Sequence, residues 1–196
     1  PADGRVLYFP KDLDFFGGSP YGPIVANADL ARLIADPVNA RVFYGHLLDV
    51  LTTSYNAGYL GPWCAQLGAL LPDQDFAGHL QFIVERAAWA LSGSPDSVLQ
   101  AMPQVPFAIT TNGGADLVTD AAALTLDGEG WLDVATIHRA GDPPALPLAW
   151  TRNVQWQTVV SLQCGANAIA LEAHDGQGAV VGADAIGVTR TGGTCP

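Results

Sequence analysis

The residues best suited to catalysis or metal binding lie near the start of the chain. Asp12 and Asp14 are two positions apart and follow an apolar run at residues 6–9, which predicts a buried strand. Both carboxylates would then lie at one strand end, where hard cations such as Mg²⁺ bind when phosphate oxygens complete the coordination. The simpler alternative is that both aspartates cap a turn and meet Lys11 or Arg5. The residues by themselves leave both interpretations open.

The remaining polar candidates form weaker patterns. The histidines are scattered without metal-ligand spacing, and we expect surface or packing roles for them: His46, His79, His138 and His174. Several acidic residues in predicted β-turns could bind Ca²⁺ between the two halves, although their spacing matches no calcium loop: Asp127, Glu129, Asp142, Asp175 and Asp184. No G-x-S-x-G motif is present, which excludes an α/β-hydrolase.

Four aromatic residues admit two interpretations. Tyr21, Tyr55, Tyr59 and Trp63 could form a platform on which carbohydrate stacks. A packed aromatic core beneath a loop is the interpretation that we favour.

Composition and charge narrow the class of protein. Of the 196 residues, 49% are hydrophobic and 14% are charged, which is enough to bury a core and excludes a disordered chain. The net charge of −11 makes binding to nucleic acid or to anionic membranes unfavourable. No apolar run approaches the roughly 20 residues of a membrane span, and no signal peptide is recognisable.

The same composition predicts a secreted or cell-surface bacterial protein. Acidic, lysine-poor chains rich in glycine and proline are typical of that class, and Lys11 is the only lysine here. A chain that begins at Pro1 rather than methionine is expected to be a processed product or part of a longer protein.

The three cysteines suggest one disulfide. We predict that Cys164 pairs with Cys195, which would close a loop of about 30 residues and add about 3 kcal/mol. Cys64 is then either a small core residue or the partner of a cysteine elsewhere.

The first hundred residues predict short helices. Each begins at a capping residue that precedes an apolar stripe, and proline follows the cap in two cases. The predicted starts are Asn27, Asp36-Pro37, Asn56, Asp73 or Asp75, and Ser94-Pro95-Asp96, with the last helix reaching Met102. Gly93 is expected to end the fourth helix.

The pattern changes at Pro103, where short alternating runs separated by turn signals predict strands. The predicted strands cover residues 107–111, 122–127, 132–138, 146–151, 155–162, 166–175 and 180–190. Trp131, Trp150 and Trp156 are expected to fill their core. The predicted fold class is therefore α+β in two parts, a helical part at residues 1–103 and an all-β, immunoglobulin-like sandwich at 104–196. We expect a fixed junction between them.

Three segments together resemble the CotH kinase-like family of spore-coat and secreted proteins. Residues 10–17 are similar to its Pro-Trp-Asp-x-Asp-x-x-Phe-Gly stretch, with Lys11 in place of the tryptophan. Residues 41–51 resemble its Arg-x-x-Tyr-x-x-x-Leu-x-x-Leu-Leu helix, and residues 55–60 its Phe-Asn-x-x-Tyr-Leu segment. The segment at 76–91, with Arg86, resembles the family's last helix. The resemblance covers roughly residues 4–92, and the β-half resembles an immunoglobulin-like module often found behind such domains.

This resemblance implies the C-terminal lobe of an atypical protein kinase that binds Mg²⁺ and ATP. Asp12 would occupy the metal-binding position, Asp14 would share the metal or support Asp12, and Lys11 could lie near phosphate. The phosphate-covering loop, anchoring lysine and catalytic base would belong to an upstream portion of the same protein or to a separate chain. The chain by itself is therefore not expected to be active.

A second hypothesis assigns no catalysis to the chain. The helical part would be a degenerate kinase remnant, and the sandwich would be a structural or adhesive module of the cell envelope or extracellular matrix. Self-assembly would then use the edge strands of the sandwich.

Overall fold

The computed structural model describes residues 19–95 and 97–192, and this part of the chain is α+β in two parts. Five helices come first and eight strands follow. The helices are α1 (Ala28–Leu33), α2 (Pro37–Thr53), α3 (Ala57–Leu70), α4 (Phe76–Ala90) and α5 (Val98–Ala101). None of these helices combines the length and apolar character needed to cross a membrane.

Side-chain caps start the helices where the sequence predicts them. Asn27, Asp36 and Asn56 each accept hydrogen bonds from backbone N–H groups of the first turn that otherwise lack a partner. Asp75, rather than Asp73, caps α4. After that helix Gly93 takes a positive φ of 74°, as predicted for a residue that ends a helix.

The predicted start of α5 is wrong. Its cap is Ser97, whose side chain accepts from the N–H of Gln100 at 3.2 Å. Ser94 instead begins a turn, because its carbonyl accepts from the N–H of Ser97 at 3.0 Å. Asp96 lies outside the described residues.

The strands form two four-stranded sheets that pack face to face. One sheet has the order β1-β3-β6-β5 and the other β2-β8-β7-β4. The strands are β1 (Ala108–Ile109), β2 (Leu117–Thr119), β3 (Ala123–Glu129), β4 (Thr136–Arg139), β5 (Leu148–Trp150), β6 (Gln155–Ser161), β7 (Gly165–His174) and β8 (Val180–Arg190). Buried and exposed residues alternate along β6 and β7, as expected for strands with one face on a core.

The core between the sheets is closed. Trp156, Leu126 and Leu171 are fully buried in it, and Phe107 stacks on the Trp156 ring at 5.5 Å between centroids. Gly128 is required beside that ring, because an added Cβ would lie 2.0 Å from Trp156 Cζ2. The sandwich therefore has an interior of its own.

Two parts of the strand prediction are wrong. The predicted strand at 132–138 exists only as β4, because Trp131 and Leu132 leave the sandwich and pack among the helices. The Trp131 indole N–H donates to the carbonyl of Met102 at 2.7 Å, which holds it there. β2 was not predicted, and it pairs in parallel with β8.

Candidate functional site

The predicted magnesium-binding residues Asp12 and Asp14, and Lys11, which was expected near phosphate, lie outside the described residues. Cys195, the predicted partner of Cys164, also lies outside them, so that disulfide stays a prediction. Cys64 is a free, half-buried thiol.

The residues that follow the Asp-x-Asp segment are bound to α4. The Arg86 guanidinium donates to the backbone carbonyls of Pro20 at 3.0 Å, of Gly22, and of Pro23 at 3.3 Å. It also lies over the Trp89 ring, 4.8 Å from its centroid. Partial burial lowers the pKa of Arg86 below its ordinary value. One arginine therefore fixes the path of residues 20–23.

A second contact reinforces this anchor. The Tyr21 hydroxyl donates to Glu85 Oε2 at 3.0 Å, and Gln81 donates to Glu85 Oε1 at 2.7 Å. The hydrogen bond to Glu85, followed by the charge of that carboxylate, raises the pKa of Tyr21. α4 thus presents a row of polar groups to the incoming chain.

Arg41 of α2 joins the two parts of the chain. Its side chain is 6% exposed and lies 3.1 Å from the centroid of the Trp150 ring. The two terminal nitrogens donate to four backbone carbonyls of the β-part: Gly130 at 3.1 Å, Trp131 at 2.6 Å, Val134 at 3.0 Å and Asn153 at 2.9 Å. These contacts explain why Trp131 is turned towards the helices.

The charge of Arg41 has one acidic neighbour. Burial lowers the pKa of Arg41 to about 9, which leaves the guanidinium cationic at neutral pH, and the charge of Asp133 acts in the opposite direction. Burial also raises the pKa of the Asp133 carboxyl. The polar contacts of Arg41 at the junction are therefore hydrogen bonds between a cation and carbonyl dipoles, and they accompany the apolar packing of Trp131 and Leu132 among the helices.

A cavity of about 580 Å³ opens beside this junction. His46, Asp49, Asp133 and Asp175 contribute polar groups to its wall. Within residues 19–95 and 97–192, no group of three or more histidine, cysteine or acidic side chains could hold a metal ion. The cavity supplies no coordination site among these residues.

Three of the acidic turn residues considered for Ca²⁺ have separate structural roles. Asp184 accepts from the N–H groups of Ile109 and Ala185, both within 2.8 Å. Asp127 accepts from the Gln157 amide at 2.8 Å. Asp175 holds its own turn by accepting from Gln177 and Ala179. The structure does not bring this set together.

α3 carries an apolar face that no other described element covers. Tyr59, Trp63, Leu67 and Leu70 recur at helical spacing, and with Leu71 they are between 38% and 68% exposed. α3 has no charged residue and no buried residue. We call these five residues the α3 face.

The opposite side of α3 packs on α4. Gly61 approaches Leu80 and Gly68 approaches Phe76, and glycines at both positions allow the two helices to lie close together. A groove of about 400 Å³ remains between the helices, with Cys64 in its wall. The α3 face therefore points away from the helix pair.

The favoured interpretation of the aromatic group is wrong for three of its members. Tyr21, Tyr59 and Trp63 are each more than half exposed, while Tyr55 alone packs against the helical core. Tyr21 is bound at α4, whereas Tyr59 and Trp63 belong to the α3 face.

Two histidines that are far apart in sequence meet on one sheet. β4 pairs with β7 so that His138 lies opposite Glu172 and Thr136 opposite His174, and the two imidazole rings are 4.5 Å apart. His138 Nδ1 lies 2.9 Å from the carbonyl of Pro143, and His174 Nδ1 lies 3.1 Å from that of Gly178. The sequence interpretation missed this pair, because only the strand register brings the two residues together.

The other two histidines stand apart. His46 is exposed in the wall of the junction cavity, and the His79 ring meets the edge of Phe76 at 5.9 Å. Neither contributes to the β4–β7 pair.

Comparison with known proteins adds no assignment. No family profile matches this chain, and no curated protein matches it either. Function is therefore inferred from the geometry of the described residues and from the sequence motifs.

Proposed function

We propose that this chain is the C-terminal portion of a secreted or cell-surface bacterial protein kinase of the CotH-like type. Asp12 and Asp14 would bind Mg²⁺, and Lys11 would lie near the phosphates of ATP. An upstream portion, in the same protein or in a separate chain, would complete the nucleotide site. The β-part would be an immunoglobulin-like module behind it.

The observation that carries the proposal is the uncovered α3 face. Exposed apolar patches of this kind, formed by large side chains on an uncharged helix, mark surfaces at which another part of a protein binds. A lobe of a larger domain needs such a surface, whereas a self-contained helical bundle would bury it.

The anchor at Arg86 supports the same proposal. Residues 20–23 are bound to α4, and Asp14 is five residues before Ser19. At about 3.6 Å per residue, the chain keeps Asp14 within about 18 Å of Ser19. In the proposed kinase, the catalytic lobe would hold the metal-binding residues within this distance of the anchor.

Native mass spectrometry with and without Mg-ATP, followed by denaturation, tests the proposal. A companion polypeptide that leaves on denaturation, and a nucleotide-sized adduct that is lost in Asp12→Asn, would support it. Asp29→Asn is the matched control, because the Asp29 carboxylate contacts only the Arg32 side chain among the described residues, on the surface of α1. A lone chain or a homo-oligomer without an adduct would overturn it and favour the structural or adhesive module.

A further inference from the structure

The chain contains two Asp-Pro peptide bonds, Asp36–Pro37 and Asp142–Pro143. The nitrogen that proline contributes is a tertiary amide, which is more readily protonated and expelled than a secondary one. A neighbouring aspartate carboxyl can attack its own main-chain carbonyl carbon. The two bonds have the same chemistry, so their surroundings decide which one reacts.

The carboxylate of Asp36 is occupied. Its Oδ1 accepts hydrogen bonds from the N–H groups of Val38 and Asn39, each at 3.0 Å, and so caps α2. Turning this carboxyl towards its own carbonyl would break the cap. The Asp36–Pro37 bond is therefore protected in the folded chain.

Asp142 lies in a different environment, in the exposed loop between β4 and β5. Its side chain accepts no hydrogen bond from the described residues, so its carboxyl can turn without breaking one. The backbone on either side is held, because Asp142 N–H donates to the Arg139 carbonyl at 2.9 Å and His138 Nδ1 bonds the Pro143 carbonyl. Gly141 makes this turn with a φ of 77°, which other residues rarely adopt.

We propose that Asp142–Pro143 is a site of acid-promoted self-cleavage. An oxygen of the Asp142 carboxylic acid attacks the main-chain carbonyl carbon of the same residue and forms a five-membered cyclic anhydride. The bond from that carbon to the Pro143 nitrogen breaks, and the proton of the carboxylic acid goes to the nitrogen. Water then adds to the anhydride, so the net reaction is hydrolysis of one peptide bond without any other reactant.

Titratable groups surround this loop on the sheet side. The groove of about 420 Å³ beside it is lined by His138 of β4, by Glu172 and His174 of β7, and by Asp142 itself. His174 Nε2 is buried, has no hydrogen-bond partner among the described residues and lies 3.7 Å from Glu172 Oε2. Arg139, at the start of the loop, donates instead to the Ser161 carbonyl at 3.1 Å.

Cleavage would leave the sandwich assembled. β1 to β4 precede the bond and β5 to β8 follow it, and each sheet contains strands from both sides of the cut. The β3–β6, β4–β7 and β2–β8 pairs would hold the two fragments together. The expected product is a nicked but folded particle.

The test is to hold the protein at about pH 4, near the point where aspartate carboxyls change protonation, and to follow both bonds by mass spectrometry. Under denaturing conditions, fragments 1–142 and 143–196 should accumulate about fivefold faster than the products of cleavage at Asp36–Pro37, because the Asp36 cap must break before that bond reacts. Native spectra of the same samples should retain the mass of the uncut chain plus one water. Asp142→Glu, which needs a larger ring, and Pro143→Ala, which restores a secondary amide, should each abolish the selectivity.

Two controls remove ambiguity. In denaturant at the same pH both bonds should be cut at similar rates, which assigns the selectivity to the fold, and circular dichroism should show that the two loop variants are folded. Equal rates at the two bonds in the folded chain, or cutting that persists in Asp142→Glu, would overturn the proposal. It would also fail if the folded chain resisted cleavage at both bonds. None of these outcomes depends on nucleotide binding.

Discussion

The sandwich and the helical part bury their apolar residues in different ways. Among the described residues, the sheets enclose twelve buried ones, all of them from the β-part. The helical cluster has seven, and two of them, Trp131 and Leu132, are contributed by the β-part. α3 contributes none. The comparison teaches that the sandwich is complete as it stands, while the helical part depends on neighbours.

Two arginines that each bind several backbone carbonyls repeat the same contrast. Arg41 is buried at the junction and serves four carbonyls, whereas Arg86 is partly exposed on α4 and serves three. Each guanidinium donates to backbone carbonyls that accept no hydrogen bond within a helix or a sheet. The buried one should matter more, because three of its four hydrogen bonds are buried, whereas those of Arg86 are part-buried or exposed.

The largest effect is expected from Arg41→Ala. It leaves three of the four junction carbonyls without a donor among the described residues, since the Trp131 carbonyl also accepts from the N–H of Val134 at 3.2 Å. We expect the free energy of unfolding to fall by about 3–5 kcal/mol. Urea denaturation followed by tryptophan fluorescence measures the change. Arg32→Ala is the control, because the Arg32 side chain is 83% exposed. If Arg41→Ala lost as little stability as Arg32→Ala, Arg41 would not hold the junction together.

The same substitution at two leucines compares the two parts directly. Leu126→Ala creates a cavity in the closed core and should cost about 2–5 kcal/mol. Leu70→Ala removes a side chain that is 68% exposed on the α3 face and should cost less than about 0.5 kcal/mol. Thermal unfolding of both variants provides the measurement. A comparable loss at Leu70 would mean that the α3 face is covered in the chain itself.

Arg86→Ala is expected to have an intermediate effect. The loss of the anchor at residues 20–23 should cost about 1–2 kcal/mol, since its carbonyls can turn to water. Hydrogen exchange should show faster exchange at residues 19–25 with little change in the sandwich. If protection fell throughout the sandwich instead, Arg86 would be part of the global core.

The smallest effect is a pH dependence at Asp133. Burial raises its folded-state pKa above 3.8, so the folded chain binds the proton more tightly than the unfolded one. This contribution to stability is present at low pH and is lost as pH rises from 3.8 through the raised value. Asp133→Asn should therefore flatten the fall over that window and be slightly more stable than the parent at neutral pH. If the free energy of unfolding changed with pH in the same way in the parent and in Asp133→Asn, the raised pKa of Asp133 would be refuted.

Local signals in the sequence predicted most of the elements. Asn27, Asp36 and Asn56 cap helices through hydrogen bonds to N–H groups two or three positions away. Their roles can therefore be predicted from the local sequence. The alternation in residues 155–161 likewise fixed a strand and its buried face.

Long-range partners account for what the sequence did not predict. Trp131 was predicted to lie in the sandwich core, because no neighbouring residue in the sequence indicates that Met102 and Arg41 bind it on the helical side. The His138–His174 pair depends on the register of β4 with β7, which no local pattern specifies. The aspartates at 12 and 14 lie outside the described residues, so the magnesium site stays a prediction.

The parallel pairing of β2 with β8 has a mechanical consequence. Leu117–Thr119 lies beside residues 188–190 with both strands running in the same direction. A pull on the helical part and on residues beyond 190 would draw these strands in opposite directions along a common axis. Their hydrogen bonds would then be loaded together in shear rather than opened one at a time. β2 would therefore resist tension applied between the helical part and the residues beyond 190.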